Sequence, residues 1–143
     1  MNRQPLTPPA HCTFEPQDWL RLAKCWHPVA RSADIGRQPV KATLLDEKLV
    51  IYRLHERIVV ARDACPHRGV PLTLGFHDEE GIICPYHGLR FGEDGRCNRI
   101  PSSPNQPIPA KLNLTSYAAE ERYGLVWVCL DYDADNPPQL PTM

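Results

Sequence analysis

Two short stretches hold the residues best suited to chemistry, Cys65-Pro66-His67-Arg68-Gly69 and Cys84-Pro85-Tyr86-His87-Gly88. Each supplies one thiolate and one imidazole. The first pair is spaced Cys-x-His and the second Cys-x-x-His, with sixteen residues between His67 and Cys84. Two thiolates and two imidazoles, divided evenly over matched loops, suit a two-iron, two-sulfide cluster of mixed ligation. Cys65 and Cys84 would sit on one iron, His67 and His87 on the other. Pro66 and Pro85 stiffen the chain beside each thiolate. Gly69 and Gly88 follow the ligands, where a loop wrapping a cofactor needs freedom in φ. Backbone N–H groups in such loops can point at the sulfurs and tune the redox potential.

Three other readings compete. A structural zinc site also uses two cysteines and two histidines, but it usually pairs Cys with Cys and His with His. A Cys65–Cys84 disulfide would leave both histidines without a role, and the chain lacks a secreted profile. Unrelated core residues would not be expected to repeat the order Cys-Pro-His-Gly twice. The doubled pattern favours the cluster.

The rest of the composition sets bounds. At 143 residues the chain has the length of one domain with a real core. Its 16 basic and 17 acidic residues leave a net charge of −1, no electrostatic case for nucleic acid or an anionic membrane. No apolar run approaches a transmembrane helix, and the start Met1-Asn2-Arg3-Gln4-Pro5 lacks a secretory signal, so a cytoplasmic protein is expected. Of the other cysteines, Cys12 reads as a bystander, Cys25 and Cys129 as small core residues, and Cys97 as a strand residue. His11, His27, His55 and His77 read as surface or packing residues.

These loops need a scaffold, and the flanking sequence is β-rich. Residues 1–14 read as an extended arm, with Pro5, Pro8 and Pro9 opposing helix. A short helix follows from Pro16, with Trp19, Leu20, Leu22 and Ala23 as its apolar stripe. Strands are expected at 25–30, 40–45, 49–54 and 58–62, with turns at 46–48 and 55–57. The connections are too short for parallel crossovers, so the sheet is antiparallel. Leu72, Leu74 and Phe76 are expected beneath the cluster, and Asp78-Glu79-Glu80-Gly81 as a hairpin turn into Ile82-Ile83. Asp94-Gly95 marks another turn. The proline-rich residues 101–109 exclude regular structure and read either as a cover for one side of the site or as an ordinary connector. Leu125 to Leu130 reads as a strand buried on both faces. Residues 132–143 read as a tail or interdomain linker.

The segment 65–91, Cys-Pro-His-Arg-Gly through Cys-Pro-Tyr-His-Gly-Leu-Arg-Phe, resembles the Rieske domain of the large subunit of ring-hydroxylating non-haem iron oxygenases. Trp26 to Ala30 resembles that family's first strand, Gly95-Arg96-Cys97 its turn after the cluster, and Tyr123 to Val128 its closing strand. The resemblance covers about residues 15–131. It implies a mainly β fold, a small antiparallel barrel or sandwich of the Rieske iron–sulfur-protein type with a short N-terminal helix. The cluster sits at its tip. Respiratory Rieske proteins carry an extra cysteine in each loop, and those places here look like Val70 and Tyr86. A low reduction potential is therefore expected.

The same resemblance implies electron transfer from an NAD(P)H-fed reductase or ferredoxin to a mononuclear iron that activates dioxygen, in a full oxygenase that admits a trimeric assembly. In the family that iron is held by two histidines and a carboxylate. No histidine follows His87, so the mononuclear site is expected outside this chain. The chain is then an electron-entry module that does not itself oxygenate. A free-standing Rieske ferredoxin and a redox-sensing module are the competing readings.

Overall fold

Tight turns between strand-forming runs set the architecture. The structure is a computed structural model that describes residues 6–142. Helix α1, Pro16–Leu22, starts with proline in its first turn and carries Asp18 there and Arg21 in its last. Its buried stripe is narrower than the sequence implies. Trp19 and Ala23, one turn apart, are buried, while Leu20 and Leu22 face outward. The Trp19 indole Nε1 donates to the Leu45 carbonyl at 2.7 Å, which satisfies its one polar atom in the core.

Among the described residues ten strands follow, in two antiparallel sheets. The larger has the order β1-β10-β9-β4-β3-β2, from β1 (His27–Arg31), β2 (Val40–Leu44), β3 (Glu47–Leu54), β4 (Arg57–Arg62), β9 (Ser116–Arg122) and β10 (Leu125–Cys129). Its edge strands β1 and β2 come together, so the sheet is a nearly closed barrel. The smaller sheet joins β5 (Phe76–Asp78), β6 (Gly81–Ile83), β7 (Arg90–Phe91) and β8 (Cys97–Arg99) in sequence order. The expected β class is thus present.

Strand boundaries shift from expectation: β1 runs His27–Arg31 rather than 25–30, β2 ends at Leu44 rather than 45, and β4 starts at Arg57 rather than 58. The β2–β3 turn is Leu45-Asp46, not 46–48, and β3 begins two residues early at Glu47. Leu45 and Asp46 both have positive φ, as do His55 and Glu56 in the next turn, the geometry of two-residue hairpins that follow the strand twist. Neither turn carries the Asn-Gly signature that would have announced it. Residues 131–142 have no helix or strand, but they are tied down. The Trp26 indole donates to the Pro138 carbonyl at 2.9 Å, Trp26 packs on Tyr132, and Leu140 is buried. In the N-terminal arm, Thr13 donates from both its backbone N and its hydroxyl to Asp46, and these bonds hold the Asp46 carboxyl below its usual range. Residues 1–5 of that expected arm lie outside the described residues.

The chain buries two hydrophobic clusters, and β3 and β4 face both. Leu49, Ile51 and Val60 point into the barrel with Trp19, Ile35, Leu44, Val126 and Val128. Val50, Tyr52, Val59 and Ala61 point the other way, toward Leu72, Ile82, Leu89 and Phe91 of the small sheet and its loops. The period-two alternation of a strand produces both sets from one apolar run. The Tyr52 hydroxyl crosses this second core and donates to the Gly92 carbonyl at 2.7 Å.

Two stability predictions follow from these contacts. Tyr52→Phe removes this bond and leaves the Gly92 carbonyl with the Gly95 N–H alone, at 3.2 Å, and should cost about 0.5–1.5 kcal/mol, read from chemical denaturation. The second concerns acid. Arg53 of β3 grips Glu121 of β9 through two hydrogen bonds of 2.9 and 3.1 Å, and they hold the Glu121 carboxyl below the usual glutamate range. A depressed carboxyl pKa adds stability above the unfolded-state value and loses it as pH falls through the folded one. Glu121→Gln should therefore flatten the loss of stability below about pH 5, measured by denaturant midpoints from pH 7 to 3.

Candidate metal centre

Both cysteine–histidine loops extend from the small-sheet side of this shared wall. They are closed by the same backbone bonds. Cys65 N donates to Val70 O at 2.8 Å and Gly69 N to Cys65 O at 2.7 Å. In the second loop Cys84 N donates to Leu89 O at 2.8 Å and Gly88 N to Cys84 O at 3.0 Å. Gly69 and Gly88 have φ of 72° and 74°, a left-handed conformation at which a side chain would be strained. The loops thus share one backbone form. The histidines sit at different places on it, two residues after Cys65 and three after Cys84.

The four donors divide by burial. Cys65 and Cys84 are each 2% exposed and lie in the core between the sheets, whereas His67 and His87 are exposed. The two thiols lie close enough to influence each other. Burial pushes the Cys65 thiol up and Cys84 adds to that, while the backbone N–H groups of His67 and Arg68 at its sulfur pull it down. The two imidazole centroids are 5.1 Å apart, and Tyr86 packs edge-on against His87 at 4.0 Å. The structure therefore brings all four sequence-predicted residues to one place, as a thiol pair inside and an imidazole pair outside. Among the described residues no three of His, Cys, Asp and Glu gather into a set for a single metal ion. Two donor pairs, one of sulfur and one of nitrogen, fit a two-iron cluster instead, which asks two protein ligands of each iron.

Polar side chains brace the loops, and sequence reasoning missed them. Asp63 accepts from the backbone N and hydroxyl of Thr73 at 2.9 and 2.8 Å. Arg90 pairs with Glu80 at 2.6 Å and Asp78 at 3.4 Å, and its Nε donates to Asn98 at 2.7 Å. One guanidinium thereby joins β5, β7, β8 and the β5–β6 turn. Pro101, at the start of the proline-rich segment, lies against Gly88 of the second loop.

Other expectations are corrected. Leu72 is fully buried below the loops, but Leu74 and Phe76 are 69% and 67% exposed. Phe76 pairs with Ile83 while His77 pairs with Ile82, so alternation turns His77 inward against Tyr52 and Phe76 outward. Cys25 is exposed, beyond the last turn of α1, and its thiol reaches the Arg21 carbonyl at 3.7 Å. Cys129 is buried as expected. Cys97 is a β8 residue, buried in the same core as the two loop thiols. Its backbone N donates to Asn113.

An antiparallel β domain presenting paired thiols and paired imidazoles on two matched loops defines a mixed-ligand iron–sulfur protein. The chain belongs to the Rieske [2Fe-2S] domain family, whose model matches residues 25–118, and that family binds a Rieske-type [2Fe–2S] cluster. The chain is 38% identical over 120 residues to methylxanthine N1-demethylase NdmA of Pseudomonas putida, covering 80% of this chain and 34% of that protein. It is 38% identical over 108 residues to the oxygenase component of dicamba O-demethylase from Stenotrophomonas maltophilia, covering 75% and 32%. The solved structure of NdmA superposes with a TM-score of 0.80 at 35% identity, over 88% of this chain and 39% of that one. This chain spans about a third of the length of the curated relatives it matches. No helix among the described residues is long and apolar enough to cross a membrane.

Gly75 tests whether the spacing of the loops matters. A methyl group there would collide with the Ile83 carbonyl, in the strand that leads into Cys84. Gly75→Ala should push β5 from β6, lower Tm and reduce iron bound per chain, measured by calorimetry and metal analysis.

Proposed function

We propose that Cys65, His67, Cys84 and His87 hold the cluster, cysteines on the inner iron and histidines on the outer, and that residues 15–131 form the electron-entry domain of a Rieske non-haem iron oxygenase. Electrons would come from an NAD(P)H-fed reductase or ferredoxin and go to a mononuclear iron in the remainder of the oxygenase. When bound, the cluster supplies a one-electron couple. The observation that carries this reading is the division of the four donors, with sulfurs in the core and imidazoles at the surface.

The chain's own residues do the rest. Cys65 and Cys84 are screened from water by Leu72, Ile82 and Leu89. The backbone N–H groups of His67 and Arg68 direct positive dipole toward the Cys65 sulfur. His67 and His87 turn the nitrogen side of the site outward, so a partner protein can approach it closely. Leu74, Phe76 and Tyr86 are the three most exposed large apolar residues among those described, and all lie within or between the ligand loops. Asp78 and Glu80 nearby are already paired with Arg90. The surface offered to a partner thus combines an apolar cluster with the exposed Arg68 of the first loop and Glu79 of the β5–β6 turn, and the apolar cluster suits contact by burial of area.

Purified protein should contain about two irons and two acid-labile sulfides per chain, with the EPR signal of mixed nitrogen–sulfur ligation in the reduced state. Its potential should lie near the low end of the Rieske range, about −150 mV. Cys65→Ser or Cys84→Ser should abolish the cluster and lower stability, because ligand binding is coupled to folding. Zinc without sulfide in anaerobically prepared protein would overturn the assignment.

A further inference from the structure

We propose that Asp63 positions the first ligand loop and is the buried negative charge that holds the potential of the centre down. This rests on the assignment of Cys65 and His67 as ligands.

The two loops close on themselves in the same way but are anchored differently. The second grows from a β-hairpin, with Ile83 paired to Arg90 and Ile82 to Phe91 just outside it. The first has no ladder at its base. β4 ends at Arg62, and the returning chain is the 3-10 turn Leu72–Leu74. The two sides are joined instead by Asp63, whose oxygens accept from Thr73 N at 2.9 Å and Thr73 Oγ1 at 2.8 Å. Asp63 N also donates to Lys48 O at 2.9 Å, which fixes the same residue to β3. Asp63 therefore does with a side chain what strand pairing does for the second loop.

A neutral residue could make similar bonds, so the charge calls for its own account. Asp63 is 7% exposed and, with Glu47, one of two buried charged residues among those described. Removing a carboxylate from water is costly, and two good donors offset part of that cost. Glu47 has an ion pair with Arg62 at 2.8 Å. Among the described residues the oxygens of Asp63 meet the neutral donors of Thr73 and form no ion pair, although Lys48 and Arg62 line the same cavity. Asp63 lies two residues before Cys65, in a medium of lowered dielectric. Reduction adds one negative charge to the centre, so a nearby buried carboxylate disfavours the reduced state.

The test uses the full chain and its Asp63→Asn, Asp63→Ala and Thr73→Val variants, compared at pH 7 for iron and sulfide content, potential and the half-life of the visible absorption. Asp63→Asn keeps the shape and an acceptor for Thr73 N but loses the charge. It should retain the wild-type spectrum with a raised potential. Thr73→Val keeps the charge and loses one donor, so its potential should stay at or below the wild-type value while the cluster half-life shortens severalfold. Asp63→Ala should show both a raised potential and the shortened half-life. An Asp63→Asn protein at the wild-type potential overturns the electrostatic role. Asp63→Ala and Thr73→Val proteins that keep the cluster as long as wild type overturn the positioning role, even should Asp63→Asn fail to load. Wild-type protein without sulfide overturns the ligand assignment and this inference with it.

Discussion

Everything at the metal centre depends on a strand pair that is apolar on both faces. Leu49, Val50, Ile51 and Tyr52 are all 0% exposed, and successive side chains enter different cores. One core closes the barrel around Trp19. The other fastens the small sheet, and with it both ligand loops, to the barrel. Burial of four such side chains contributes several kcal/mol, on the order of 1.5–3 for each large apolar group. A polar substitution in this run would therefore damage the barrel or the seat of the loops according to whether its position is odd or even.

Burial also separates the two jobs of the site. The thiols lie where water is scarce, and the imidazoles lie where another protein can reach them. That division does not need large structures. It follows from a loop that points its first residue inward and the residue two or three places later outward. The relatives include demethylases of methylxanthine and dicamba and a 3-chlorobenzoate dioxygenase. Similarity in this region extends across relatives named for different substrates.

Much of this was legible in the chain because the signals were local. Four candidate ligands in two repeated loops, strand runs of alternating or continuous apolar residues, and a proline-led helix each depend on residues close in sequence. The errors arose where a distant partner decides. Leu74 and Phe76 look like core residues by type, but the pairing of β5 with β6 faces Phe76 outward. The Leu45-Asp46 turn has no glycine and is imposed by the register of β2 on β3. Asp63 and Thr73, ten residues apart, carry no motif, and neither does the Arg90 set. The contacts of the tail were not legible either, because nothing local reveals that Pro138 meets Trp26.

The matched backbone of the two loops has a consequence for how such a site tolerates change. Each loop is a six-residue cup, closed by its own two hydrogen bonds and requiring from the outside a place to stand. The scaffold then has one quantity left to set, the separation and tilt of the two cups. Many different sequences can satisfy so small a specification. That is consistent with a chain that shares about a third of its residues with NdmA while superposing closely on it. It also marks the cups as portable parts: two hairpin ends on an unrelated barrel, held at the same separation, would present the same four donors.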